Sequence, residues 1–193
     1  MKIGVLGGTF DPPHLGHLVL AEQARAQLGL ERVLWVPAGE PWRKPQRAIT
    51  PAEQRAAMTG LAIVDNEAFE LCRLELERPG PSYSVDTLEQ LRERHPDGEL
   101  VFIIGKDALD DLPNWRRPGR LAELATLAVA SRAGDEAREL PAGLEARVAW
   151  IEMPRIDISA SDLRRRAAAG LSLRYLVPSA VEVYIRDQGL YRR

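Results

Sequence analysis

Gly7-Gly8-Thr9-Phe10-Asp11-Pro12-Pro13-His14-Leu15-Gly16-His17 follows the apolar run Lys2 to Leu6 directly and leads into a helical pattern from Leu18 to Leu28. Strand, glycine-rich turn and helix in that order suit an anion. Adjacent glycines permit positive φ and let a ligand approach backbone N–H groups, and the helix adds the positive end of its dipole. Read alone, the Gly-Gly pair fits a plain tight connection equally well. His14 and His17 stand three residues apart at the helix start, so both imidazoles can project from one face and donate to phosphate oxygens. Taken singly, either histidine is as readily structural. The remaining one, His95, is far along the chain, and no metal is expected at the pair. The stretch is not G-x-G-x-x-G, which argues against a dinucleotide fingerprint, and it lacks the G-K-[ST] ending of a P-loop.

Outward from this turn, short apolar runs alternate with helical or loop segments of crossover length. Lys2 to Leu6, Arg32 to Val36, Phe69 to Leu74, Leu100 to Ile104, Leu127 to Ala130 and Arg147 to Ile151 read as strands. The alternation predicts an α/β fold, a Rossmann-like parallel sheet flanked by helices, as a single domain over residues 1–193. Ligand should bind at the carboxyl ends of the strands. Thr50-Pro51-Ala52-Glu53 and Ser179-Ala180-Val181-Glu182 each read as a helix start, with the hydroxyl at N-cap and a Glu three residues on. Pro37 to Pro51 and Arg132 to Arg147 read as long polar excursions, either lids or solvated surface.

The chain has 193 residues, 45% hydrophobic and 28% charged, a balance that excludes disordered and collagen-like classes. Its 26 Lys+Arg against 28 Asp+Glu give a net charge of −2, which argues against a general nucleic-acid binder, so any polyanion it takes is small and locally held. Cys72, the one cysteine, sits near Leu71 and Leu74 and reads as a buried hydrophobe in a reducing compartment, the cytoplasm. The first apolar run ends at Gly7-Gly8, too soon for a signal peptide, and no stretch nears the roughly 20 apolar residues of a membrane span.

A second candidate lies near the C-terminus. Ile158-Ser159-Ala160-Ser161-Asp162-Leu163-Arg164 places two hydroxyls at a loop-to-helix junction and an arginine one turn into the helix. Arg164 can face the same anion as Ser161 and the free N–H groups. Alone, the segment is also an ordinary serine cap before a solvated face of Arg164-Arg165-Arg166.

The eleven residues Gly7 to His17 resemble the signature of the nucleotidyltransferases with a His-x-Gly-His motif, and in full the bacterial nicotinate-nucleotide adenylyltransferase family. Residues 158–164 resemble that family's second signature. Phe102-Ile103-Ile104-Gly105-Lys106-Asp107 is similar to its adenosine-site segment, and Pro81 to Leu88 and Leu112-Pro113-Asn114-Trp115 to the segments around the nicotinate ring. The resemblance implies a nucleotidyltransferase-type fold, ATP and nicotinate mononucleotide as substrates, and Mg²⁺ bound with ATP. It implies His14, His17 and Arg164 as catalytic, and Gly7, Gly8, Thr9, Phe10, Gly105, Asp107, Ser159 and Ser161 with them as the ATP site. Arg43, Lys44, Tyr83, Thr87 and Trp115 would hold the mononucleotide, Trp115 by stacking and Thr87 through its backbone N–H. Where many members have Pro-His-Lys or Pro-His-Arg, this chain has Pro41-Trp42-Arg43-Lys44, so a histidine role in that loop does not carry over. The rival readings are transfer to another phosphomonoester, such as phosphopantetheine or, for cytidylyl, a phosphorylated alcohol, and a non-catalytic nucleotide sensor.

Overall fold

The computed structural model describes residues 1–42, 49–131 and 147–192. Among them, strands β1 (Lys2–Gly8), β2 (Arg32–Pro37), β3 (Phe69–Leu71), β4 (Glu99–Ile104), β5 (Thr126–Ser131) and β6 (Val148–Glu152) form one sheet in the order β3-β2-β1-β4-β5-β6. Every pairing is parallel. Helices α1 (Leu15–Leu28), α2 (Ala52–Ile63), α3 (Ser84–Arg94), α4 (Lys106–Asp111), α5 (Pro118–Leu124), α6 (Ala160–Ala168) and α7 (Ser179–Asp187) surround it. The α/β reading of the sequence therefore holds. No described helix is long and apolar enough to cross a membrane.

Alternate residues of the central strands feed two apolar layers, which is why these strands are apolar without interruption. Ile3, Val5, Leu34, Val36, Leu100, Phe102, Leu127 and Val129 pack beneath Leu88 and Leu91 of α3 and Leu121 of α5. Leu6, Val33, Trp35, Val101, Ile103 and Ala128 pack beneath Leu20, Ala21 and Ala24 of α1. A third cluster joins Met58 of α2 to Leu163 of α6, Leu173, Val177, and Val181 and Ile185 of α7. That cluster seats the C-terminal helices beside the carboxyl edge of the sheet. Strand order reverses between β1 and β4, so the chain leaves these neighbours in opposite directions and opens a crevice at their carboxyl ends.

Several expected boundaries move. Gly7 and Gly8 belong to β1, α1 begins at Leu15, and β3 ends at Leu71, where the chain turns back with the Leu76 N–H donating to Arg73 O. Thr50 and Ser179 are not N-caps. Pro51 and Pro178 hold those positions with extended ψ of 142° and 146°, so α2 begins one residue later, and α7 one residue earlier, than a hydroxyl cap would set it.

Leu163 is fully buried where α6 meets the third cluster. Leu163→Ala should lose about 2–5 kcal/mol in urea unfolding, the range for a buried leucine truncated without collapse of the site. A loss below about 0.5 kcal/mol would mean that the third cluster does not anchor α6.

Candidate active site

At the carboxyl end of β1 the chain turns sharply into α1. The left-handed residue there is Phe10, with φ of 48°, and neither glycine before it has positive φ. The expected glycine role is thus corrected: Gly8 is required by space, since a Cβ on it would lie 2.8 Å from the Phe10 ring. That ring is buried against Trp35, with centroids 5.3 Å apart, and its burial holds a bulky side chain in the αL region. Phe10 can therefore offer a nucleotide only backbone. The Asp11–Pro12 peptide is cis.

His14 is the N-cap of α1, and His17 lies one turn on. The rings stack, with centroids 3.7 Å apart and planes at 26°, and Phe10 meets His17 edge-on. A Cβ on Gly16 would fall 3.1 Å from His14 Nδ1, so glycine gives the imidazole its place. The His14 backbone N–H donates to His17 Nδ1 at 3.2 Å, which puts the proton of a neutral His17 ring on Nε2. His14 is buried, and its Nδ1 has no hydrogen-bond partner among the described residues. Burial lowers its pKa to about 4, so at neutral pH the ring is an uncharged donor and acceptor.

The two candidate motifs meet. Ser159 caps α6, its hydroxyl accepting from the Asp162 N–H at 3.2 Å. From the next turn, Arg164 donates to Ser161 Oγ at 2.9 Å and to the Asp11 carbonyl at 2.6 Å. Asp11 is buried, and its carboxylate accepts from the Tyr191 hydroxyl at 2.8 Å. Burial and that carboxylate hold the Tyr191 phenol well above its ordinary range, so it stays a donor. Beyond β4, Gly105 caps α4 with open space where a side chain would stand, and Asp107 is exposed in the first helical turn.

A further cluster is built around the start of α3, where the resemblance implies the acceptor. Tyr83 is its N-cap, with the Trp42 ring 5.6 Å away and the Arg116 guanidinium 4.6 Å above its face. Trp115 packs against the core with its indole N–H on Asp111 at 2.9 Å. Thr87 requires a correction. Its N–H donates to Tyr83 O within α3 and its hydroxyl to Glu75 at 2.6 Å, so its backbone is spent on the helix. The N–H groups of Ser84 and Val85, in the first turn, are the ones with no intrahelical acceptor. Arg43 and Lys44 lie outside the described residues.

With this geometry in view, the similarities are specific. The cytidylyltransferase-like family matches residues 5–166. A protein of Thermus thermophilus named "Probable nicotinate-nucleotide adenylyltransferase" is 48% identical over 192 residues, covering 100% of both chains. One of the same name from Thermomicrobium roseum is 48% identical, over 99% of this chain and 92% of that protein. The chain belongs to the nicotinate-nucleotide adenylyltransferase family. A solved structure of Plasmodium falciparum nicotinic acid mononucleotide adenylyltransferase complexed with APC shares its fold, at a TM-score of 0.78 with 18% identity over 98% of this chain and 96% of that one.

Two groups of this family member escape a sequence reading. Tyr191 lies at the far end of the chain and is recruited only by folding. Arg55 is buried to 1% exposure in α2; the one signal for it is that helical period puts an arginine on the same buried face as Met58 and Thr59.

A histidine with a pKa of about 4 in the fold and 6.5 outside it binds fewer protons folded than unfolded, so its contribution is full above pH 6.5 and lost as pH falls towards 4. Between pH 7 and pH 4.5, His14 should remove roughly 2 kcal/mol of stability. His14→Asn should flatten that part of the unfolding free-energy profile. An identical slope in parent and variant would contradict the buried neutral ring.

Proposed function

We propose that this chain transfers AMP from ATP to nicotinate mononucleotide, releasing pyrophosphate and forming nicotinate adenine dinucleotide, as a cytoplasmic enzyme of NAD biosynthesis. The observation that carries the reading is the bond from Arg164 to the Asp11 carbonyl. It brings the two phosphate-binding motifs into one site, beside an aromatic-lined helix start suited to a flat, anionic acceptor.

A phosphate monoester is largely dianionic at pH 7, with a second pKa near 6, so the acceptor needs no protein base and no covalent enzyme intermediate. One of its oxygens attacks the α-phosphorus, a new P–O bond forms, and the bond to the bridging oxygen breaks with its electron pair leaving on pyrophosphate. The protein's task is alignment and charge stabilisation. His14 and His17, with N–H groups of the turn at Gly7 to Phe10, meet the α- and β-phosphates. Contact with the triphosphate also favours a protonated His14 over the neutral ring. Ser159, Ser161 and Arg164 receive the departing pyrophosphate, and Gly105 and Asp107 flank the adenosine. Tyr83, Trp115 and the start of α3, with Arg43 and Lys44, take the mononucleotide.

Mg²⁺ fits as a passenger of the substrate. The Asp11 carboxylate is buried and bonded to Tyr191, so the donors around the motif are N–H groups and cations suited to phosphate oxygens. Bound there with ATP, the ion would neutralise part of the triphosphate charge.

Pyrophosphate release with ATP and a panel of acceptors tests the reading. Turnover should be fastest with nicotinate mononucleotide. Preference for phosphopantetheine, or for CTP with a phosphorylated alcohol, would move the chain to another acceptor class, and no turnover with any acceptor would favour a nucleotide sensor.

His17→Ala should lower kcat by roughly 10²-fold with the fold intact, the scale for one lost transition-state stabiliser. An unchanged kcat at saturation would remove His17 from the chemistry. Arg164→Ala should act mainly as a raised KM for ATP.

Acceptor choice follows from the donors at the α3 start. Charge-assisted hydrogen bonds are worth about 1.5–3 kcal/mol each, so the acid should exceed its amide by ~10² in kcat/KM. Trp115→Ala should raise KM for both acceptors together, since stacking senses the ring. Equal use of acid and amide by the parent would remove the carboxylate contact from the α3 start.

A further inference from the structure

Arg55 carries a full charge into the interior, 1% exposed, and spends it on backbone carbonyls. Its Nη1 donates to Thr9 O at 2.9 Å, its Nη2 to Gly39 O at 3.0 Å and its Nε to Thr50 O at 2.9 Å. Burial pulls its pKa down and the carboxylates of Asp11 and Glu75 push it back up. Burying a guanidinium costs several kcal/mol, and an apolar side chain of equal volume would fill the space more favourably. What the guanidinium supplies instead is a rigid planar fork that joins the turn after β1 to both ends of the connection between β2 and α2.

The bonding continues past Gly39. The Gly39 and Glu40 N–H groups donate to Ser82 Oγ at 2.9 and 3.2 Å, and Ser82 N–H returns a bond to Glu40 O at 2.9 Å. Thr87 donates to the buried Glu75 carboxyl at 2.6 Å. A Cβ on Gly39 would fall 2.2 Å from Glu75 O, so the loop lies directly on this segment. A continuous polar chain thus runs from Thr9, in the turn of the phosphate side, through Arg55 and Gly39 to Ser82, which directly precedes the Tyr83 cap of α3 on the acceptor side.

We infer that Arg55 is a positioning residue that couples the nucleotide half of the site to the acceptor half, fixing their separation through this chain. The assignment of the two halves rests on the proposed adenylyl transfer; the coupling between them does not depend on the acceptor's identity. Misplacing reacting groups by about 1 Å can cost 10²-fold in rate while each substrate still binds its own half.

The test compares the parent with Arg55→Lys, whose ammonium cannot reproduce the planar fork, and with Ser82→Ala, which cuts the same chain further on at little cost in volume. Two measurements are made on each folded protein. First, a non-hydrolysable ATP analogue is added and amide NMR signals of Gly39, Ser82 and Ser84 are followed. All three should shift in the parent and remain in place in Arg55→Lys, while Ser82→Ala, which cuts beyond Gly39, should keep the Gly39 shift and lose that of Ser84. A Ser84 shift that persists in either variant, or its absence from the parent, would overturn the coupling. Second, with ATP and nicotinate mononucleotide, both variants should lose at least tenfold in kcat while each KM stays within threefold. A kcat within twofold of the parent, or a loss matched by the unfolded fraction, would overturn it too. If Arg55→Lys does not fold, Ser82→Ala decides alone by the same criteria. No turnover by the parent with any acceptor would overturn the adenylyl-transfer reading, and the NMR arm would still decide the coupling.

Discussion

The carbonyl of Asp11 accepts a guanidinium N–H from Arg164, 153 positions along the chain, and the arrangement of the site depends on that closure. A parallel sheet delivers each strand's carboxyl end to the same edge, but it does not by itself bring the last helices to the first turn. Here the third apolar cluster does so, seating α6 against α2 and α7 and carrying Arg164 to the motif turn. Tyr191 completes the junction by donating to the Asp11 side chain. One buried aspartate thereby ties the N-terminal motif to both C-terminal contributions.

The electrostatics of the turn follow from the same packing. Stacking His14 on His17 beneath a helix start withdraws His14 from water and keeps it neutral, while the His14 N–H fixes the tautomer of His17. The site is thereby poised for an anion without holding two mutually repelling imidazolium ions beside a helix N-terminus. Arg55 makes the complementary choice, accepting the cost of a buried charge in return for a rigid link between loops.

The sheet was legible because both-sided burial leaves continuous apolar runs, and the packed turn of His14 on His17 was signalled by one local stretch, Gly7 to His17, whose geometry depends on short spacings. Contacts between distant segments were not. Spacing from Ser161 and the resemblance single out Arg164 as an anion contact, but nothing in Arg164-Arg165-Arg166 shows that it reaches Asp11, and Tyr191 looks like any terminal aromatic. The role carried to Thr87 from the resemblance misled because a motif match does not say which residue is first in the helix; a one-turn difference puts its N–H inside it. Phe10 misled in the opposite sense, since positive φ was expected at glycine and is held instead by ring burial.

The central claim, that the two motifs act as one phosphate site, is tested most directly by a double-mutant cycle on kcat/KM for ATP. His17→Ala and Arg164→Ala are measured singly and together. Groups that act on the same phosphates through a shared, packed junction should be non-additive, and the double variant should lose less than the product of the single losses, with a coupling of about 1 kcal/mol or more. Losses that multiply within error would show two independent sites and contradict the account.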